Sequence, residues 1–309
     1  MEKEFIVGAT GTTATVDALG AAGIADHPFF GPLDRRPAHH RGPHRLSHHG
    51  WLNFAGRLER REEVASVLTA VATGDRVLDV GGGTGELTRA VAARAVHCVT
   101  VEPHAHRVEA LQTSVDTSGG APDAPGAPDG AEIEVLPGYA EELPLPDAAF
   151  DAVLACWVLP YADDPDRAVR ELARVCDRDT PGSRVVLIGG APDNELVSLL
   201  NEVCVPIAGE PHDHQGYLLE NAARTLSELG FSAISLHRTE AALHFPESDP
   251  EERITAAAAL LTDFWYEEHP RADEMRVALR PALRRHFARR PYAIGDQGIV
   301  LVAVCGSRN

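Results

Sequence analysis

Several things are missing from this 309-residue sequence. No apolar run approaches the length of a membrane span, so a membrane partner is not expected. Residues 1–26 lack a basic start followed by a long apolar stretch, so no secretion signal is expected. The five cysteines, Cys98, Cys156, Cys176, Cys204 and Cys305, nowhere form C-x-x-C, and four of them sit inside apolar runs. That pattern reads as reduced core thiols in a cytoplasmic protein. No clearly helical segment carries H-x-x-x-H or H-E-x-x-H, so no metal is expected. Positive charge is scarce as well: 28 Lys and Arg against 46 Asp and Glu leave a formal net charge of −18. Such a chain repels polyanions through its overall field, which argues against a nucleic-acid partner. Arg35, Arg36, Arg41 and Arg45 form the most obvious local exception.

What remains is an ordinary globular composition in which strand and helix patterns alternate. Residues 27–50, HPFFGPLDRRPAHHRGPHRLSHHG, show no period and read as a loop or lid. Glu59–Ala72 reads as a helix with Val64, Val67, Leu68 and Val71 on one face. Strands are expected at 76–80, 96–101, 133–136, 150–156 and 184–188, with helices at 86–94, 104–115 and from Asp164-Pro165 onward. Residues 117–131, TSGGAPDAPGAPDGA, read as a surface insertion. A helix at 217–229 and a strand at 231–237 follow. An inserted helical pair spans 249–290, opened by a capping-box-like D-P-E-E and with Pro281 as a kink or break. The last strand is 298–304. The alternation predicts an α/β fold with a Rossmann-like, doubly wound, mostly parallel sheet of seven strands. An N-terminal extension (1–58) and the helical insertion would flank the main domain, 59–309.

Val77 to Glu86 read V-L-D-V-G-G-G-T-G-E. A strand feeding a glycine-rich turn and a helix is a nucleotide-binding arrangement. No Lys follows the glycines, which excludes a phosphate loop. Gly81 and Gly83 fit the dinucleotide pattern, but Glu86 stands where its third Gly would be, and a carboxylate there repels a diphosphate. The loop therefore suits a ligand without phosphates. Glu102 ends the second strand, in V-T-V-E-P, where an acidic side chain can accept from both ribose hydroxyls.

These residues resemble class I S-adenosylmethionine-dependent methyltransferases, and most closely the small-molecule branch that contains the quinone-biosynthesis C-methyltransferases. The resemblance rests on 77–85, on V-E-P at 101–103, and on G-Y-A-E-E-L-P-L-P-D-A-A-F-D-A-V-L-A-C-W-V-L at 138–159 with D-P-D-R-A-V-R-E-L-A-R-V at 164–175. It covers roughly 60–190 and implies an antiparallel last strand. It also implies S-adenosylmethionine as cofactor and S-adenosylhomocysteine as product. Asp79 and the backbone of Gly81, Gly82, Gly83 and Gly85 would hold the methionine part, and Glu102 with Pro103 the ribose. Ala140 and Glu141 would lie along the adenine, while Cys156 and Trp157 would form the wall toward the acceptor. Tyr139 departs from the pattern: many relatives carry an acidic residue there.

The acceptor is less legible. Removing a proton from a hydroxyl or carbon acceptor calls for a base. His49 and His214 are the candidates, the first in a His cluster at 39–49 and the second in E-P-H-D-H-Q (210–215). Both stretches also read simply as solvated loops. His48, Trp51, Tyr161, His212 and Trp265 are candidate pocket walls. The expected acceptor is a small or medium-sized metabolite, sugar hydroxyl or short peptide, methylated on O or N and less readily on C. A homodimer is compatible with this reading. The alternative is a noncatalytic relative that keeps the fold as an assembly or regulatory partner.

Overall fold

The computed structural model describes residues 7–8, 11–17, 27–31, 47–118, 131–212 and 216–306. His214, most of the 117–131 insertion and the His39–His44 part of the proposed lid lie outside the described residues. So does the side chain of His48.

The parallel core of the sheet consists of β4 (Arg76–Val80), β5 (His97–Glu102), β6 (Ile133–Pro137), β7 (Ala152–Cys156) and β8 (Arg184–Gly190). Two further strands, β9 (Phe231–Thr239) and β12 (Gly298–Cys305), complete the expected seven, in the order β9-β12-β8-β7-β4-β5-β6. The last strand, β12, is antiparallel to both neighbours, pairing Leu301 with Leu187 on one side and with Leu236 on the other. The sheet is wider than expected. A hairpin of β1 (Val7–Gly8) and β2 (Gly11–Asp17) adds antiparallel to β9, making nine strands. Residues 11–17, assigned to the N-terminal extension, thus protect a sheet edge.

Alternation along the strands explains why both faces are covered. Leu78, Val80, Val153, Ala155, Val185, Leu187, Ile299 and Leu301 share one core with α5 (Pro165–Val175) and α7 (Gly216–Glu228). Their neighbours Val77, Ala152, Leu154, Val186, Ile188 and Val300 join another core with α2 (Arg61–Ala70) and α3 (Glu86–Ala92). A separate core lies over the carboxyl end of the sheet, where α1 (His48–Ala55), α6 (Glu195–Ala208), α8 (Pro250–Tyr266) and α9 (Ala272–Phe287) pack together.

Several boundaries differ from those expected. The helix of 59–72 begins at Arg61, because β3 (Leu58–Glu59) pairs with β10 (Ala242–His244), which also pairs with β11 (Ala293–Gly295). Two- and three-residue strands leave too short a period to be read. Pro281 does not break its helix: α9 runs through it. The hydrogen bond that Pro281, lacking an N–H, cannot donate would reach the carbonyl of Val277, a residue 67% exposed, so water can serve that carbonyl. The remaining helix, α4 (Ala105–Ser118), follows β5.

The paired signature of 138–151 and 164–175 is one structural device. Asp164 caps α5 by accepting from the Arg167 amide at 3.0 Å. From the last turns of α5, Glu171 accepts from the Leu143 amide at 3.0 Å. Arg174 donates to the carbonyls of Leu143 and Leu145 at 3.1 and 2.9 Å and to Asp147 at 2.7 Å. The helix thereby grips the 143–147 loop, and the loop fixes Tyr139–Glu141 at the end of the sheet. Removing the grip in Arg174→Met should destabilise the protein by about 2 kcal/mol in urea denaturation, as expected for charged hydrogen bonds. It should also lower hydrogen-exchange protection at the Leu143 amide; unchanged protection there would show that the loop holds itself.

Candidate active site

Strands β4, β5 and β7 end at one cavity of about 650 Å³. Asp79, Gly81, Gly82, Gly83, Glu102, Pro103, Ala140, Glu141, Cys156 and Trp157 all line it, as do Trp51 and Tyr161. Gly85 lies behind the lining. There its backbone, at φ 77°, turns the chain into α3.

The glycine loop is bare for two separate reasons. A Cβ on Gly81, whose φ is 78°, would stand 2.7 Å from Val158 Cγ2. A Cβ on Gly82 would collide with Thr100 Oγ1. Asp79, 2% exposed, accepts from Thr88 Oγ1 at 2.6 Å. Burial pushes its carboxyl up to about 6; the Thr88 hydrogen bond opposes that rise and the charge of Glu102 adds to it. Glu102 is equally buried. Its Oε1 lies 3.0 Å from His104 Nδ1 and 3.6 Å from the Arg107 guanidinium, while Oε2 has no partner among the described residues. One oxygen is therefore anchored and the other is left for a ligand.

Trp51 projects from α1 over this loop, its ring 3.5 Å from where a Gly83 Cβ would stand. The Arg107 guanidinium lies on the ring, 4.5 Å from its centroid. The helix is tethered at its start, where the Ser47 amide and hydroxyl donate to Glu267 at 2.8 and 2.6 Å. Trp51, Phe54, Ala55 and Leu58 from this segment line the cavity.

Trp157 has φ 59°, a conformation side chains rarely adopt. Two bonds hold it there: its amide donates to Ile188 O at 2.9 Å and its Nε1 donates to Glu63 Oε2 at 3.0 Å. Glu63, 1% exposed, also accepts from Thr239 Oγ1 at 3.3 Å. Burial pushes its carboxyl up to about 7 against the pull of Arg60 and of the Trp157 hydrogen bond. Burial, with Asp79 and Glu63 adding to it, holds the Cys156 thiol well above its usual range, so the wall it forms is neutral.

The two histidine candidates whose side chains are described, His49 and His212, are not brought to this cavity. His49 is exposed on α1 and His212 is exposed beyond α6, and neither lines it. Glu210, shortly before His212, accepts from Tyr266 of α8 at 2.8 Å. Trp265 packs against the capping core, and its neighbour Phe264 takes the place at the wall, stacked at 5.0 Å on Phe54. Glu141 reaches the lining, but its Oε1 already accepts from the Asp163 amide at 2.7 Å. Sequence reasoning missed Arg60, Glu63, Arg107, Phe264 and Asp296. Glu63 left a trace, since it falls four residues before Val67 on the apolar face of α2. Asp296 left none. Among the described residues no group of three or more His, Cys, Asp or Glu is placed to hold a metal ion, and no helix is long and apolar enough to cross a membrane.

The seven-strand order and its antiparallel β12 define a Rossmann-like fold of the kind found in methyltransferases. Residues 78–180 match the family model described as a methyltransferase domain. This segment and the fold around it resemble the class I S-adenosylmethionine-dependent methyltransferases. It is 34% identical over 125 residues to the uncharacterized methyltransferase Rv3342 of Mycobacterium tuberculosis, covering 40% of this chain and 44% of that one. To the O-methyltransferase rstn1 of Aspergillus nomiae it is 30% identical, covering 46% and 60% of the two chains. To the ubiquinone/menaquinone biosynthesis C-methyltransferase UbiE of Hahella chejuensis it is 32% identical, covering 44% and 51%. The chain spans about half the length of the curated relatives it matches. The crystal structure of YcgJ from Bacillus subtilis shares the fold, with a TM-score of 0.54, 16% identity, and coverage of 81% of this chain and 100% of that one.

The buried Glu63 should leave a signature in the pH dependence of stability. Its folded pKa, about 7, lies above the ordinary 4.5, so the fold prefers the neutral carboxyl. Below pH 4.5 both states hold the proton. As pH rises to about 7 only the unfolded chain releases it, and stability falls by about 3 kcal/mol. Asp79 acts in the same direction up to about pH 6. Glu63→Gln should flatten much of this decline in melting experiments between pH 4.5 and 7.5; a variant as pH-sensitive as the parent would refute the assignment.

Proposed function

We propose that this protein transfers a methyl group from S-adenosylmethionine to an O or N atom of a small acceptor enclosed between the sheet and the α1/α8 cap. The observation that carries this reading is the charge of the cavity. Asp79, Glu86, Glu102, Glu141, Asp163 and Asp296 line it, against Arg60 and Arg107. A cationic ligand without phosphates suits such a lining; a dinucleotide diphosphate does not.

The residues present fit the cofactor. Asp79 offers a buried carboxylate beside a glycine backbone, suited to an ammonium group. Glu102 offers its unpartnered Oε2, suited to ribose hydroxyls. Tyr139 and Ala140 border the place for the adenine. When bound, S-adenosylmethionine supplies an electrophilic methyl group. The chain's part is alignment and exclusion of water. Trp51 and Arg107 close the loop side, and Trp157, held by Glu63, sets the wall from which the acceptor approaches. One curated relative is named an O-methyltransferase and another a C-methyltransferase, so the relatives do not choose the acceptor atom.

Calorimetric titration tests this reading. S-adenosylmethionine and S-adenosylhomocysteine should bind in the micromolar range, and NAD should not. Gly83→Val places a branched side chain at φ 57° in the cradle and should abolish adenosyl binding. Glu102→Ala should weaken it by about tenfold, the loss of one hydrogen bond to a charged group. Undiminished binding by both variants, or binding of NAD alone, would refute the site.

A further inference from the structure

Of the cavity's acids, Glu86 and Asp163 are exposed and Glu141 is held by the Asp163 amide, and the buried groups described so far are already engaged. Asp79 and Glu102 serve the cofactor, Glu63 is occupied by Trp157 and Thr239, and His49 stands outside the cavity. Asp296 is unassigned. It lies in the turn between β11 and β12, is 5% exposed, and lines the cavity. Its amide donates to Ala241 O at 2.8 Å. Its Oδ1 accepts from Asn194 Nδ2 at 2.8 Å, and the same amide group donates to Gln297 O at 3.0 Å. Oδ2 has no hydrogen-bond partner among the described residues. One oxygen is fixed by an amide that is itself fixed, and the other remains for a ligand.

The charged and titratable groups that act on Asp296 come from two sides. Arg60 and Glu63 stand at the start of α2, and Tyr161 lies in the short turn 159–161 after β7. The walls are unusually aromatic. Aromatic residues are 6% of the chain but supply six of the 30 lining residues: Trp51, Phe54, Tyr139, Trp157, Tyr161 and Phe264.

On the reading that this cavity binds S-adenosylmethionine, we propose that Asp296 is the catalytic base and that the acceptor is a flat aromatic compound methylated on a phenolic hydroxyl. The four rings not already placed beside the cofactor, Phe54, Trp157, Tyr161 and Phe264, supply apolar faces for a flat body. Arg60 supplies a cation for the charge that develops on the phenolic oxygen. An ammonium acceptor would instead set a further cation beside Arg60 and the sulfonium. In the step itself the phenolic oxygen forms a bond to the methyl carbon as the carbon–sulfur bond breaks, and that electron pair stays on sulfur. The hydroxyl proton passes to Asp296. A carboxylate and a sulfonium become a neutral carboxyl and a neutral thioether, so a buried charge pair is consumed rather than created. Burial raises the Asp296 carboxyl above the usual carboxylate range, against the pull of Asn194 and Arg60, bringing it nearer the pH at which a base is most effective.

The test uses the full chain, with naphthol as probe and Asp296→Asn as variant. S-adenosylhomocysteine should bind both proteins within twofold, which reports an intact fold and cofactor site. Naphthol should bind the wild-type protein saturated with S-adenosylhomocysteine, and about tenfold more weakly the variant, which offers the hydroxyl no charged acceptor. With S-adenosylmethionine, wild-type turnover of naphthol should rise with pH through the titration of Asp296. The variant should lose that rise, and Asp296→Glu should recover part of it. Failure of naphthol to bind, equal binding by both proteins, or an unchanged pH profile in Asp296→Asn would overturn the proposal. Failure of S-adenosylhomocysteine to bind the wild type would instead overturn the cofactor reading beneath it.

Discussion

A carboxylate held out of water is the costliest ordinary group a fold can carry unless it is paired or hydrogen-bonded. This molecule holds four of them, Asp79, Glu102, Glu63 and Asp296, around one end of its sheet. Each has an oxygen fixed by the protein: by Thr88, by His104 and Arg107, by Trp157, and by Asn194. Such an arrangement demands a rigid frame. Strands covered on both faces supply it, and the capping core supplies the roof. The same cost gives the site its character, because a cation entering the cavity relieves what folding alone leaves uncompensated.

The frame was written plainly in the sequence. Apolar runs such as 76–80 and 184–188, punctuated by helical stretches, yield a parallel sheet because those are the patterns that both-face burial requires. The cofactor end was legible for the same reason: a backbone that must pass close to Thr100 and Val158 tolerates nothing larger than glycine. Even the link between 138–151 and 164–175 had a visible form, although its cause, the grip of Glu171 and Arg174 on the 143–147 loop, appears only in three dimensions.

The acceptor end was not legible, and the reason is physical. In the proposal its lining comes from Arg60 just before α2, Tyr161 after β7, Phe264 on α8 and Asp296 before β12. No short spacing joins them; only the closing of β12 between β8 and β9 does. Histidine stands out through number and intrinsic pKa, yet the groups buried beside the cavity are carboxylates whose proton affinity is raised by burial. A sequence shows which groups can titrate near neutrality unaided. It does not show which groups a fold will bring there.

The placement of tryptophan has a practical consequence. The chain has three. Trp51 and Trp157 both line the cavity, and Trp265 stacks at 6.2 Å on the lining Phe264. Nothing in the rest of the sheet or its flanking helices carries an indole. The intrinsic fluorescence of this protein is therefore a local signal that reports the state of its roof and its acceptor wall. Optical unfolding curves followed at tryptophan will describe the opening of that region before they describe the loss of the sheet.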